Sequence, residues 1–245
     1  MNSMFSMTGY GYARRYSKKY GIFEVEIISL NSREIEISLS GNRDVIGLER
    51  EIRNMIRRYF KRGKFKIKFY FPPPEDYEID ERKIKKILKS VKKFSKGKIN
   101  IYFDNVDVLK EIFLKKENLK EKKRIFLKCL ESAIKKLLKF REIEGKNLKK
   151  AIIKEANKLK ILIDNLKNER CKEEKVRLLS HLESIFKTIN SKKGGWGKKI
   201  DFLGQEILRE GNTISQKSEN IENINTAIEI KVCAENIREI ARNLE

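Results

Sequence analysis

Histidine is nearly missing from this chain. His181 is the one imidazole in 245 residues, so any acid–base chemistry that needs such a group must use it. Cysteine is scarce too. Cys129, Cys171 and Cys233 are odd in number, far apart and form no CxxC pair, which excludes a disulfide framework or a thiolate metal cluster and fits a reducing cytoplasm. Cys129 and Cys233 fall among apolar helical positions and read as small core hydrophobes. The three prolines stand together at 72–74 and end a strand. No run of eighteen apolar residues occurs, so no membrane span is expected. The opening "MNSMFSMTGYGYARR" lacks the apolar stretch of a secretory signal. Acidic residues are in deficit, 35 against 57 Lys and Arg, leaving a formal net charge of +22.

Such a surplus attracts polyanions, and phosphate backbones first among them. The lesser alternative is a chain-wide bias, because Lys, Ile and Asn are abundant throughout. With 40% hydrophobic and 38% charged residues, the chain is globular but richer in charge than the usual quarter. Its length suffices for one large domain or two modest ones with proper cores.

The first seventy residues carry strand signals. "GIFEVEIISL", "REIEISLSG" and "GKFKIKFYF" alternate apolar and polar residues, the period of half-buried strands. Between them "DVIGLEREIRNMIRRYF" has helical spacing, with Val45, Leu48, Ile52 and Ile56 on one stripe. A short helix near 80–94 and the strand-like "KINIYF" follow. This order predicts an α+β class: an N-terminal mixed sheet-and-helix domain over 1–105. From about 106 the pattern is helical to the end. A helix of over forty residues, with a bend at Gly145, predicts a long arm or linker over 106–170 that projects or serves assembly. An all-helical catalytic domain is expected over 171–245. The glycine-rich basic loop "SKKGGWGKK" at 191–199 opens its central helix.

In that helix Ile200, Leu203, Ile207 and Ile214 form an apolar stripe, and Glu206 and Glu210 border it. A carboxylate on such a border loses water and needs a cation, a metal or a proton. Pairing with lysines or arginines of neighbouring helices satisfies that need equally well. The preceding helix repeats the arrangement, with Leu178, Leu182, Ile185 and Ile189 as its core and Glu174, Arg177 and His181 along one margin. In the last helix Lys231, Glu235, Arg238, Glu239 and Arg242 share the side opposite Ile230, Cys233 and Ile237. Glu239 and Arg242 read there as solvated.

"SMTGYG", "VEIISLNSR", "RGKFKIKF", "VRLLSHLESI", "GKKIDFLGQEILREGNTISQKS" and "IEIKVCAENIREIARNLE" resemble the two ends of the YicC/YloC endoribonuclease family. The resemblance implies a cytoplasmic, metal-dependent endoribonuclease acting on RNA. It also implies a homo-oligomer, a hexamer whose C-terminal helices surround an RNA cavity. The family pattern falls on Arg177, His181, Asp201, Gln205, Glu206, Arg209, Glu210, Asn212, Thr213, Lys217, Glu229, Lys231, Glu235, Arg238 and Glu239, among others. Gly211 stands where the family commonly has alanine, and Ser32 where it commonly has histidine.

Together these readings make Glu206, Glu210 and His181 the candidate catalytic residues. Glu206, Glu210 and Glu235 are the candidate ligands for a divalent ion, Mn or Mg, that would activate water against the scissile phosphate. Arg177, Arg209, Asn212, Lys217, Lys231, Arg238 and Lys199 would hold RNA, with Lys192, Lys193 and Lys198 guiding the strand and Trp196 stacking on bases. A second chemical route makes His181 the base for the ribose 2′-hydroxyl, without metal. Two further alternatives are a non-catalytic basic RNA-binding scaffold, whose glutamates only tie helices together, and a purely structural oligomer.

Overall fold

The computed structural model describes residues 4–42, 47–74, 76–93, 113–116, 118–167, 169–191 and 194–245. Its first half is built on a four-stranded sheet. β1 (Gly9–Ser17), β2 (Gly21–Leu30), β3 (Ile35–Gly41) and β4 (Gly63–Tyr70) lie in the order β1-β2-β4-β3. β3 runs parallel to β4 and the other pairs are antiparallel, so the sheet is mixed. Helix α1 (Leu48–Tyr59) makes the crossover between the parallel strands. Alternation sets the two faces: Phe23, Val25, Ile27, Phe65 and Ile67 are buried against Leu48, Ile52 and Ile56 of α1. On the other face Lys66, Lys68 and Tyr70 meet solvent.

A small antiparallel pair, β5 (Asp76–Ile79) with β6 (Phe113–Lys116), flanks α2 (Glu81–Lys92). α2 begins at Asp80, whose carboxylate accepts from the amides of Arg82 and Lys83. β6 corrects the expectation of helix from 106 onward. Its four residues form a strand because β5 supplies a partner. "KINIYF" and residues 106–112 lie outside the described residues.

The long helix α3 runs unbroken from Leu119 to Asp164, 46 residues, or about 70 Å at 1.5 Å per residue. It is not a projecting arm. Its first half buries Phe126, Cys129, Leu130, Ile134 and Leu137 against the sheet. Its second half buries Ile152, Ala156, Leu159 and Ile163 in the helical core. Each half has its apolar stripe covered, so α3 is a spine shared by both cores rather than a linker between them. Gly145 does not interrupt the helix and marks a close approach: a Cβ there would overlap the backbone of Met4.

After a 3₁₀ turn at Glu169–Cys171 come α4 (Lys172–Asn190), α5 (Trp196–Lys217) and α6 (Ile221–Ala241). α5 and α6 pack antiparallel along a seven-residue repeat of small residues. Gly197, Gly204 and Gly211 of α5 face Ala241, Ala234 and Ala227 of α6. The chain then returns to the sheet half. The amide of Glu245 donates to the Phe5 carbonyl at 2.8 Å, and the amide of Met7 to Asn243 at 2.9 Å. Asn31 Nδ2 donates to the Arg242 carbonyl at 2.9 Å. Arg141, 2% exposed, is seated beneath this junction, paired with Glu245 at 2.5 Å and donating to the Ser6 carbonyl. Cys129, Cys171 and Cys233 are all buried and free. Among the described residues no helix is long and apolar enough to cross a membrane.

Candidate active site

Two antiparallel helices set the site's first flank. Lys217 Nζ, near the end of α5, donates to Glu174 Oε1 at 2.7 Å near the start of α4. Two turns back along α5, Glu210 Oε1 lies 3.6 Å from Arg177 Nη1. Continuing that register one more turn brings His181 level with Glu206. The border position expected for the glutamates is confirmed by their exposure: the Glu210 side chain is 10% exposed and that of Glu206 20%. Glu206 pairs along its own helix with Arg209 at 3.2 Å. His181 is half-buried and has no hydrogen-bond partner among the described residues.

Glu174 lies deepest, with a side chain only 3% exposed. The hydrogen bond from Lys217 holds its carboxyl below the usual carboxylate range, outweighing the opposing effect of burial. The same bond raises Lys217 above the ordinary lysine value. Glu174 Oε2 is buried and unpaired among the described residues. This ion pair ties α4 to α5 at one end of the charged flank.

The second flank faces α6. Asp201 accepts from Arg238 Nε at 3.1 Å, and Glu235 pairs with Arg238 Nη1 at 2.8 Å. Arg242 stands 3.6 Å from Asp201, so it is not simply solvated, while Glu239 is exposed as expected. The stem of Lys231 passes over Gly211. The glycine seam carries α6 along one side of α5, whereas Glu206 and Glu210 project from the side that meets α4. Glu235 is therefore not brought to them within one chain. Among the described residues no three His, Cys, Asp or Glu side chains are grouped to hold a metal.

Of the residues expected to hold RNA, Arg177, Arg209, Lys217 and Arg238 are committed to carboxylates. Lys199, Asn212 and Lys231 have no side-chain partner among the described residues. Trp196 is not available for stacking: it is 4% exposed, and its Nε1 donates to the Ser191 carbonyl at 3.1 Å. Lys192 and Lys193 lie outside the described residues. Two cations that spacing did not single out, Arg33 and Arg62, reach the start of α5 from the sheet half. The motifs "LNSR" and "RGKF" contain them, but only the fold brings them across.

The N-terminal region profile of the YicC-like endoribonucleases matches residues 4–150, and the C-terminal profile matches 115–245. The chain belongs to the YicC-like endoribonuclease family. A relative in this family, the "Probable endoribonuclease YicC" of Clostridioides difficile, is 28% identical over 293 aligned positions, covering 98% of this chain and 99% of the relative. That alignment is longer than the chain, so the relative carries segments this family member lacks. The protein of the same name from Haemophilus influenzae is 42% identical over 73 residues, 30% of this chain and 25% of the relative.

Proposed function

We propose that this chain is an endoribonuclease that cleaves phosphodiester bonds of single-stranded or looped RNA on the α4–α5 flank. The observation that supports it most is the nearly dry Glu210 carboxylate held 3.6 Å from Arg177, on the margin that also carries His181. A largely desolvated acid, a guanidinium and an imidazole on one ridge form the kind of grouping that active sites gather. His181 takes the proton of a ribose 2′-hydroxyl. The 2′-oxygen bonds to phosphorus, the bond to the 5′-oxygen breaks, and that oxygen takes a proton from solvent. Arg177, released toward the phosphate, stabilises the charge on the phosphoryl oxygens, and Glu210 sets the guanidinium's position. Lys199, Asn212 and Lys231, uncommitted to other side chains, are the RNA contacts this reading favours.

A Mn or Mg ion does not fit the described residues of a single chain, because Glu206, Glu210 and Glu235 are each paired with an arginine and do not converge. Assembly into a homo-oligomer, a hexamer, belongs to the same proposal; the exposed Val176, Phe202 and Val232 on the helical layer support self-association without setting the number of subunits.

The test is cleavage of an end-labelled RNA by wild type and by Glu210→Gln and His181→Gln, with and without EDTA. Both variants should lose at least about a hundredfold in rate, and wild type should leave a 2′,3′-cyclic phosphate. EDTA-abolished cleavage with a 5′-phosphate product would refute the imidazole route. The scaffold reading is favoured by one observation, the pairing of every candidate carboxylate. It requires that wild type bind RNA without cutting it.

A further inference from the structure

The start of α5 breaks a local rule. Its N-cap, Gly195, has a left-handed backbone (φ 82°) and no side-chain cap; its first turn contains no acid but does contain Lys198 and Lys199. A helix N-terminus is electropositive and presents free amides, so two lysines there add repulsion. Natural chains keep such local conflicts at functional sites, and an anion bound here would relieve this one. The surroundings give independent support. A cavity of about 380 Å³ opens here between the sheet half and the helical layer, lined by Arg33, Arg62, Lys198, Asp201 and Arg242 among others. A second, of about 640 Å³, shares Arg33, Arg62 and Lys198 with it. Both volumes fall in the range of small-ligand clefts.

The acid that lines this cleft, Asp201, and Glu245 beside it are already engaged. Asp201 is bound to Arg238 at 3.1 Å and Arg242 at 3.6 Å. Glu245 is bound to Arg141 at 2.5 Å and Arg62 at 3.5 Å. Arg33 and Lys198 have no partner among the described residues, and both are exposed toward the opening. The cleft thus holds two uncommitted cations from different halves of the molecule, backed by two arginines only partly neutralised. Gly197 lets the end of α6 lie close against the start of α5 behind the cleft: a Cβ at this position would press on the carbonyls of Ala241 and Leu244.

We infer that this cleft is a phosphate-binding site for RNA, separate from the cleaving flank. It lies about 12–18 Å from Glu206 and Glu210 along α5, the rise of eight to twelve helical residues. It would anchor one phosphate of the strand while another is presented to His181. That identity of the polyanion rests on the endoribonuclease reading; the site itself rests on the cleft. An internal phosphodiester and a terminal 5′-phosphate share the chemistry it recognises.

The test is fluorescence anisotropy of the full chain, without added metal, with a labelled single-stranded oligoribonucleotide bearing a 5′-hydroxyl or a 5′-phosphate, over a series of salt concentrations. Arg33→Ala/Lys198→Ala should weaken binding at least about tenfold and reduce the salt slope by about two phosphates' worth. The control Lys139→Ala/Lys150→Ala, which removes the same charge from α3, should change both much less. Loss confined to the 5′-phosphorylated strand assigns the site to a terminal phosphate; equal loss for both assigns it to the internal backbone. Wild type that binds while Arg33→Ala/Lys198→Ala binds equally well, or no worse than the control, overturns the cleft. Wild type that binds neither oligonucleotide overturns the RNA reading as well, and is distinguished by that. Unchanged far-UV circular dichroism and melting of each variant confirm that folding is not the cause.

Discussion

Replacing the three seam glycines of α5 with alanine, one at a time, separates rigid from yielding neighbours on a single helix. Each replacement gains helix propensity, about 1 kcal/mol at an interior position. The opposing cost differs. At Gly197 the new methyl would lie 2.5 Å from both the Ala241 and the Leu244 carbonyl oxygens. Those are backbone atoms beside the Ser6–Leu244 bridge, and they cannot retreat without lifting the end of α6 off the sheet half. Overpacking of this kind costs about 1–3 kcal/mol, and the propensity gain is smaller in a first turn. The net is a loss of about 1–2 kcal/mol, or about 2–8 °C in melting temperature for a chain of this length.

At Gly204 the methyl would overlap the Cγ of Arg238, so the arginine stem must swing and its 3.1 Å bond to Asp201 is broken. Stability should change little there, but the α6 flank is rearranged. At Gly211 the nearest atom is Lys231 Cγ at 2.9 Å, and the next contacts are an ordinary 3.7 Å away. The lysine turns aside, and alanine should be neutral or stabilising by up to about 1 kcal/mol. Thermal and urea unfolding of the three variants provide the readout. Gly197→Ala as stable as wild type, or Gly211→Ala as damaging as Gly197→Ala, would refute the view that backbone proximity decides the sign.

The Glu174–Lys217 pair gives a pH dependence with a defined sign. Glu174 is depressed in the fold, so its contribution is present above the ordinary carboxylate value and is lost as pH falls through and below about 4. Lys217 is raised, so its contribution is present below about pH 10 and lost as pH climbs through its elevated value. The gap in urea midpoint between wild type and Glu174→Gln should be flat across the neutral range and narrow at both extremes. A gap that varies between pH 6 and 8 would assign the effect to another group. Phe126→Ala, in the half of α3 fully buried against the sheet among Phe69 and Phe71, should cost about 3–5 kcal/mol. Urea unfolding followed by Trp196 fluorescence should register that loss even though the indole lies in the other half of the molecule. Unshifted Trp196 unfolding would show that the halves melt independently.

Strands were legible wherever alternation was long. "GIFEVEIISL" matches β2 to the residue, and β3, β4 and α1 fall within the stretches that showed their periods. β6 was not legible, because four residues carry no measurable period and the partner strand is distant in sequence. The length of α3 could be read, but its two destinations could not, since an apolar stripe does not say what covers it. The site divides in the same way. The wheel correctly placed Glu206 and Glu210 on the border of the core. It could not say that α4 lies beside them and α6 beyond. Trp196 was misjudged for a related reason: a tryptophan in a Gly- and Lys-rich run looks exposed, yet here it opens a helix and fills the core beneath it.

The spine helix has a practical corollary for anyone dissecting the molecule. One rod is planted in two interiors, so a truncation near Gly145 would leave a raw greasy stump on whichever piece it produced. Fragments made to study RNA handling and cleavage apart should therefore come out insoluble or molten, and dissection by point substitution in the whole chain is the route that keeps both interiors sealed.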